Sequence, residues 1–229
     1  QPMFAVAIDG PAGAGKSSVA KAAAKELGFV YVDTGALYRT IALHLLEKGQ
    51  NPGDSAAAEA ALPGLDIRLA YAPEGQKVFC NGEDVTGRIR TPEVSMGASA
   101  VAAVPAVRVF LLGLQRGLAK EHNVLMDGRD IGTVVLPHAP LKVFLTASPE
   151  ERARRRVRQM EEGGQAADFA AILQDIRQRD FQDSTRETAP LKPAADSVLL
   201  DTSGISFQES VEKLVSLVRA RMGQEQENG

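Results

Sequence analysis

Residues 10–18 read GPAGAGKSS, and they lie between an apolar run at residues 3–8 and a stretch rich in alanine and lysine. The segment matches the pattern G-x-x-x-x-G-K-[ST] without a mismatch. Glycine permits positive φ, which lets a loop turn its N–H groups inward, and the positive end of the following helix faces the same cavity. The sequence therefore predicts a strand, a phosphate-binding loop and a helix, in that order.

This loop predicts which atoms contact a nucleoside triphosphate. We expect the Lys16 ammonium to reach the β- and γ-phosphates, and the Ser17 hydroxyl to be a ligand of the Mg²⁺ that accompanies them. The predicted ATP-binding residues are Gly10, Pro11, Ala12, Gly13, Ala14, Gly15, Lys16, Ser17 and Ser18.

Composition restricts the classes of partner. The chain has 229 residues and a formal net charge of −3, so it lacks the basic character of a nucleic-acid-binding protein. Cys80 is its one cysteine, which excludes an internal disulfide. No apolar stretch reaches the length of a membrane span, and no signal-peptide pattern is present. We expect a cytoplasmic monomer that binds small molecules and neither nucleic acid nor a membrane.

Strand and helix patterns alternate along most of the chain. Continuous apolar runs at residues 29–32, 123–126, 141–145 and 197–200 are separated by helical segments, which predicts an α/β fold with a parallel sheet covered on both faces. Residues 62–92 break this alternation and contain the hairpin signal Asn81-Gly82, so a small antiparallel insert is expected there. We predict one domain with a core at 3–60 and 93–222, and a disordered polar tail at about 223–229.

An acidic residue follows one of the later apolar runs. In VLMDGRDIGTVV, Asp127 comes at the carboxyl end of a predicted strand, where open α/β sheets bind their ligands. Such a carboxylate can hold Mg²⁺ through water. Arg129 and Asp130 follow directly, one suited to a phosphate and the other able to accept hydrogen bonds from a polar substrate.

Five arginines are concentrated in ERARRRVRQ, the segment after the next strand. Arg152 and Arg156 lie one helical turn apart, so both side chains are expected on one face. Phosphoryl transfer spreads negative charge over the moving group, and arginine stabilises it. We predict an arginine-rich lid at about 148–165, with Arg152 and Arg156 as catalytic residues beside Lys16 and Asp127.

Two further segments predict a second, anionic and planar substrate. Arg179, Asp183 and Arg186 fall at i, i+4 and i+7 on a predicted helix, where the acid would orient both guanidinium groups. In DTGALYRT, a hydroxyl, an aromatic ring and a guanidinium open the second helix, supplied by Thr34, Tyr38 and Arg39.

Together, IDGPAGAGKSSVAK, DTGALYR, RTPEVS, DGRDIGTVV and RDFQDSTRETAPLKPAADSVLLDT resemble the bacterial cytidylate kinases, from about residue 4 to residue 219. The resemblance implies the nucleoside monophosphate kinase fold, with a five-stranded parallel core, a lid over ATP and an enlarged monophosphate-binding insert. It also implies transfer of a phosphoryl group from ATP to CMP or dCMP with Mg²⁺, in pyrimidine nucleotide metabolism.

The resemblance also implies roles for individual residues. Arg39, Arg129 and Arg186 match the arginines that bind the CMP phosphate, and Arg179 and Asp183 match the pair that contacts the pentose. Cytosine would be read by a third set, which consists of Ser99, Arg108 and Asp130. Thr34 stands where the family often has serine and keeps the hydroxyl, whereas Ala12 lacks a hydroxyl that some members carry.

Two alternatives remain on the sequence alone. A kinase for UMP or another small acceptor shares the same loop chemistry. A nucleotide-dependent switch or regulatory binding module is less consistent with the chain. The D-x-x-G match at residues 201–204 follows the last strand, and no N-K-x-D motif is present.

Overall fold

A computed structural model describes residues 2–229 of the chain. The strands are β1 (Ala5–Asp9), β2 (Val30–Asp33), β3 (Ile67–Ala72), β4 (Gly75–Cys80), β5 (Glu83–Asp84), β6 (Val124–Gly128), β7 (Leu141–Thr146) and β8 (Val198–Asp201). The helices are α1 (Lys16–Leu27), α2 (Thr34–Glu47), α3 (Ser55–Ala61), α4 (Pro92–Ala102), α5 (Pro105–Glu121), α6 (Pro149–Glu162), α7 (Phe169–Thr185) and α8 (Phe207–Asn228).

The chain divides into two compact units. The first contains the residues up to Tyr31 together with His122–Gly229, and the second is Val32–Glu121. The second unit therefore extends well beyond the 62–92 insert that the sequence predicts.

The main sheet has the strand order β2-β6-β1-β7-β8, and all of it except the last two residues of β2 belongs to the first unit. β1 pairs in parallel with both β6 and β7, and β7 pairs in parallel with β8. Side chains of α1 and α8, including Val19, Ala23, Leu214 and Val218, share one buried cluster with the strands. Every residue of β1 is buried, which explains why its apolar run is continuous. The predicted five-stranded parallel sheet with helices is confirmed.

The second unit has its own core and a small antiparallel sheet, in the order β3-β4-β5. Asn81 and Gly82 connect β4 to β5 with φ of 50° and 83°, which is the backbone that a two-residue primed turn requires. The predicted antiparallel insert is therefore present. Leu37 and Ile41 of α2 belong to a separate buried cluster that includes side chains of α4 and α5.

The predicted disordered tail is wrong for most of its length, because α8 continues to Asn228. Gln and Glu, which fill residues 224–227, have favourable helix propensities, so a polar composition does not stop a helix that is already anchored by its buried face. Among residues 2–229, no single helix has the length and apolar content to cross a bilayer, and only α4 and α5 taken together reach those values, across a bend of 98°.

Two helical glycines of the second unit give opposite predictions. Gly113 of α5 has open space around an added Cβ, so Gly113→Ala should raise the free energy of unfolding by about 0.5–1 kcal/mol. At Gly97 of α4, an added Cβ would lie 3.0 Å from the Ala42 Cβ and 3.1 Å from Pro52 Cγ. Gly97→Ala should therefore lower stability by about 1–3 kcal/mol despite the same gain in propensity. Denaturant unfolding of both variants measures the difference, and a stabilising Gly97→Ala would contradict this packing.

Candidate active site

The conformation of the phosphate-binding loop depends on its three glycines. Gly13 and Gly15 both have φ of 74°, and Gly15 is the N-cap of α1. Gly10 is required for another reason, because a Cβ there would lie 2.0 Å from the main-chain oxygen of Leu145 on β7. The loop conformation therefore needs both the positive φ and the close approach to a neighbouring strand.

Three arginines bind alternate carbonyl groups of this loop. The hydrogen bonds run from Arg129 Nη1 to Gly10 O at 3.0 Å, from Arg152 Nη1 to Ala12 O at 3.0 Å, and from Arg155 Nη1 to Ala14 O at 3.2 Å. These bonds hold the carbonyls toward the guanidinium groups. The first N–H groups of α1 have no partner within the helix and are available to an anion.

The Asp127 carboxylate binds Lys16 and Ser17, which lie where the loop ends and α1 begins. It is 2 % exposed, forms an ion pair with Lys16 Nζ, and accepts hydrogen bonds from Ser17 Oγ at 2.9 Å and the Tyr31 hydroxyl at 2.8 Å. Burial lowers the pKa of Lys16, while the charge of Asp127 opposes that shift. The structure thus brings together Lys16, Ser17 and Asp127, which the sequence analysis assigned to the triphosphate and its Mg²⁺. The sequence analysis missed Tyr31, because an aromatic residue in a strand is usually a core residue.

Asp9 is a second buried acid that the sequence analysis missed. Its carboxylate accepts hydrogen bonds from the N–H groups of Ile131 and Gly132, both at 2.8 Å, and so holds the start of a π-helical turn at Ile131–Val135. The side chain of Asp130, the residue before this turn, does not cap it. Burial raises the pKa of Asp9 to about 6. Asp9 could have been found from its position at the end of β1, where it lies opposite Gly128 of β6.

The predicted lid arginines have different surroundings. Arg152 is 3 % exposed and binds both carboxylate oxygens of Asp180, while its Nε donates to the Ala147 carbonyl at 2.9 Å. Arg156, one turn further along α6, is exposed and donates to Gln159. The helical spacing is confirmed, but the two side chains do not form one functional surface. Arg152 joins α6 to α7 and to the loop.

The predicted stripe of Arg179, Asp183 and Arg186 is wrong, because α7 ends at Thr185 and Arg186 has extended backbone. The Thr185 hydroxyl donates to the Phe181 carbonyl at 2.6 Å, a side-chain bond of the kind that competes with the main-chain pattern near a helix end.

The side chains around this helix end also differ from the prediction. Asp183 faces Arg129, with 3.5 Å between Oδ2 and Nε, instead of orienting both predicted arginines. Arg186 Nε donates to the Ala189 carbonyl at 2.8 Å. Arg179 is exposed on α7 and has no hydrogen bond or ion pair within residues 2–229. These three residues therefore do not act as one set in this structure.

The second unit contains the other predicted substrate residues. Thr34, Tyr38 and Arg39 lie on the first turns of α2, and the first two are buried. The Arg108 guanidinium lies 5.3 Å from the centre of the Tyr38 ring, and its Nη1 donates to the Ala102 carbonyl at 2.7 Å. Ser99 is exposed on α4. The structure thus pairs Tyr38 with Arg108 by a cation–π contact that the sequence did not predict.

The oxygens of Ser17 and Asp127 are the best candidates for a metal site. Within residues 2–229, no three His, Cys, Asp or Glu side chains are grouped to hold a metal ion. Mg²⁺ is usually bound by one or two protein oxygens, with substrate phosphates and water completing its coordination. A hydroxyl and a carboxylate 2.9 Å apart at the start of α1 fit that chemistry.

A parallel sheet with a glycine loop that holds a lysine against a buried aspartate is typical of P-loop proteins that bind a nucleoside triphosphate. Comparison with known proteins narrows this class. The family model for cytidylate kinase matches residues 6–220. The chain therefore belongs to the cytidylate kinase family.

Named relatives agree with this family. The cytidylate kinase of Mycolicibacterium paratuberculosis is 49% identical over 217 residues, 94% of this chain and 95% of the relative. That of Shouchella clausii is 50% identical over 216 residues, 94% of this chain and 96% of the relative. A gluconokinase from Sinorhizobium meliloti is 15% identical, with a TM-score of 0.51 over 100% of this chain and 98% of that chain, which indicates a shared fold only.

The buried Asp9 gives a pH prediction. Its folded pKa is about 6, above the 3.8 of an exposed aspartate, so the folded state binds the additional proton as the pH falls. The contribution of Asp9 to the free energy of unfolding should therefore increase as the pH falls from 7.5 to 5, by on the order of 1 kcal/mol. Unfolding of the wild type and Asp9→Asn at both pH values measures it. A difference between them that is independent of pH would contradict the raised pKa.

The contrast between Arg152 and Arg156 gives a second prediction. Arg152→Met leaves the Asp180 carboxylate and two carbonyls without their donor, and should cost about 3 kcal/mol of unfolding free energy. Arg156→Met should change stability by less than about 0.5 kcal/mol because the side chain is exposed. Thermal and denaturant melts of the two variants provide the test, and equal stabilities would be inconsistent with a structural Arg152.

Proposed function

We propose that this enzyme transfers the γ-phosphoryl group of ATP to CMP or dCMP, giving ADP and CDP or dCDP. The observation that carries the proposal is the convergence of Lys16 and Ser17 on the buried Asp127 at the head of the phosphate-binding loop. Lys16 in that position would bind the β- and γ-phosphates, and the loop with the N-terminus of α1 would bind the remaining phosphate oxygens.

We propose that Ser17 and Asp127 hold Mg²⁺ together with the triphosphate, as their oxygen chemistry allows. When bound, the ion would neutralise charge on the phosphates. On triphosphate binding, Lys16 would exchange part of its contact with Asp127 for phosphate oxygens. Asp127 would then be available to the metal.

The acceptor is proposed from the residues that match the family motifs. Arg39, Arg129 and Arg186 are the proposed ligands of the CMP phosphate, and Arg179 and Asp183 of the pentose. The contact between Asp183 and Arg129 supports this assignment, because it joins a residue of the pentose set to a residue of the phosphate set within the first unit. No protein base is needed, since the acceptor phosphate is already an oxyanion.

Cytosine is the proposed base because Ser99, Arg108 and Asp130 match the family's cytosine-binding set. Asp130 can accept a hydrogen bond from the exocyclic amine, whereas uracil presents a carbonyl at that place. Ser99 and Arg108 would contact the remaining edge of the base. In the second unit, the pairing of Arg108 with the Tyr38 ring fixes the direction of the guanidinium and supports a binding role for it.

The direct test is ADP production with ATP, Mg²⁺ and each of CMP, dCMP, UMP, AMP and shikimate in turn. We expect CMP or dCMP to have the highest kcat/KM. Lys16→Met serves as the matched inactive variant and should lower kcat by at least about tenfold, because a charged donor to the transferring group is lost. A preference for UMP would favour the alternative acceptor. Hydrolysis of ATP with no dependence on any acceptor would exclude a kinase.

Asp130→Asn tests the recognition of the base. The amide can rotate to donate to uracil O4, so the ratio of kcat/KM for CMP to that for UMP should decrease. Removing two opposed acceptors should recover about 1–3 kcal/mol for UMP. The ratio is measured in both proteins at saturating ATP. An unchanged ratio with both activities lowered would assign Asp130 to positioning of its neighbours instead of base recognition.

A further inference from the structure

The guanidinium of Arg155, on α6, is bound at all three of its nitrogen atoms. Nη1 donates to the Ala14 carbonyl at 3.2 Å and to the Thr202 hydroxyl at 3.0 Å, and Nη2 donates to the Thr202 carbonyl at 2.5 Å. Nε lies 3.3 Å from a carboxylate oxygen of Glu151 on the same helix. All of these residues belong to the first unit. Arg155 therefore connects the phosphate-binding loop to the segment that follows β8.

Thr202, the first residue after β8, is held in place by its neighbours. It is 1 % exposed, and its N–H donates to the Thr146 carbonyl of β7 at 2.8 Å. The next residue, Ser203, accepts a hydrogen bond from the Ser148 N–H at 2.9 Å, and Ser148 is the N-cap of α6. The segment after β8 is thus bonded both to the sheet and to the start of the helix that carries Arg155.

The bond to Ala14 fixes the orientation of one peptide group in the loop. A peptide group is planar and trans, so its C=O and its N–H point in opposite directions. The carbonyl of Ala14 and the N–H of Gly15 belong to the same group, and Arg155 binds the carbonyl. The Gly15 N–H therefore points away from Arg155. Gly15 is the N-cap of α1, a position at which the helix itself provides no acceptor for the N–H.

The sequence around this peptide group does not fix its orientation. Gly13 and Gly15 flank Ala14, and glycine adopts positive and negative φ with similar ease, so the chain alone allows the group to rotate. A carbonyl turned toward the bound phosphates would repel their oxygens, whereas an N–H turned toward them attracts them. The bond from Arg155 thus selects the orientation that binds an anion.

We propose that Arg155 is a positioning residue for the donor nucleotide, which holds the Ala14 carbonyl on the outer side of the loop and so directs the Gly15 N–H at the phosphates of ATP. Thr202 holds the guanidinium in place for this role. The inference rests on the proposed function, in which the loop binds ATP. Arg155 acts through the main chain of the loop and does not itself contact the transferred phosphoryl group.

The first experiment compares Arg155→Met with Arg221→Met. Arg221 is a matched control because it also donates to a carbonyl of the first unit, that of Pro140 at 2.6 Å. Pro140 precedes β7, whereas the loop approaches the other end of that strand at Leu145. Binding of ATP and of ADP is measured by calorimetry on the whole protein, and the KM values for ATP and CMP are measured by steady-state kinetics.

Arg155→Met should weaken the binding of ATP and of ADP by a similar factor of about ten, because the N–H groups of such a loop bind the α- and β-phosphates, which both nucleotides carry. The KM for ATP should rise and the KM for CMP should stay unchanged. Arg155→Lys should recover part of the loss, since a point charge replaces a planar group that spans two acceptors. Arg221→Met should change none of these values.

The second experiment tests Thr202 through a double-mutant cycle. Thr202→Val removes the hydroxyl that accepts from Arg155 and keeps the size of the side chain. The variant should raise the KM for ATP by less than Arg155→Met does, because the Thr202 carbonyl still binds Nη2. If Thr202 acts through Arg155, its effect on that KM should be smaller in the Arg155→Met background than in the wild type. Equal effects in both backgrounds would overturn the role of Thr202.

The outcomes separate the inference from the proposed function. If the wild type phosphorylates CMP and Arg155→Met binds ATP and ADP as tightly as Arg221→Met does, the proposed function stands and Arg155 has no positioning role. If Arg155→Met weakens ATP alone, Arg155 contacts the γ-phosphate and the inference is wrong. A lower kcat with both KM values unchanged would assign Arg155 to the stability of the fold and would also overturn the inference. If the wild type transfers no phosphate to CMP, the proposed function fails, while the ADP affinities still decide the role of Arg155.

Discussion

The burial of charged groups at the carboxyl edge of the main sheet constrains the rest of the first unit. Asp9, Lys16, Asp127, Asp130 and Arg152 are all less than 7 % exposed. A charge removed from water is tolerated only when it is paired or hydrogen-bonded. Lys16 and Asp127 meet this requirement by forming an ion pair. Asp9 meets it by accepting hydrogen bonds from two N–H groups of the segment after β6. Compensation of buried charge therefore fixes the loop, the sheet edge and the π-helical turn relative to one another.

The arginines of α6 differ in their surroundings. Arg152 and Arg155 have their guanidinium groups occupied by loop carbonyls, by Asp180 and by Thr202. Arg156 on the same helix is exposed and donates to Gln159, so its guanidinium does not bind the loop. An arginine-rich sequence alone cannot separate these roles, because the residue type is the same and only the surroundings differ.

In the second unit, Asp33 is a residue whose contacts could not be predicted from its position in the sequence. Asp33 is a short acidic side chain at the end of a strand, and by sequence it is only the first letter of DTGALYRT. In the structure it joins residues from α2, β4 and the start of α4. Arg39 was predicted as a substrate residue from its motif, whereas its shared contact with Arg90 on the Asp33 carboxylate is visible only in the structure.

The sequence by itself determined the local chemistry of this protein. The glycine pattern before Lys16 predicts a phosphate loop, and the continuous apolar runs predict a parallel sheet, because each depends on residues that are close in the chain. Contacts across the fold were decided only by the tertiary structure. Asp9 meets Ile131 across 122 positions, and Arg152 meets Ala12 across 140. The end of α7 before Arg186 is, by contrast, a local feature that helical periodicity does not predict. Residue types predict which groups can bind phosphate, but burial and distance decide which of these groups are already bound to other parts of the protein.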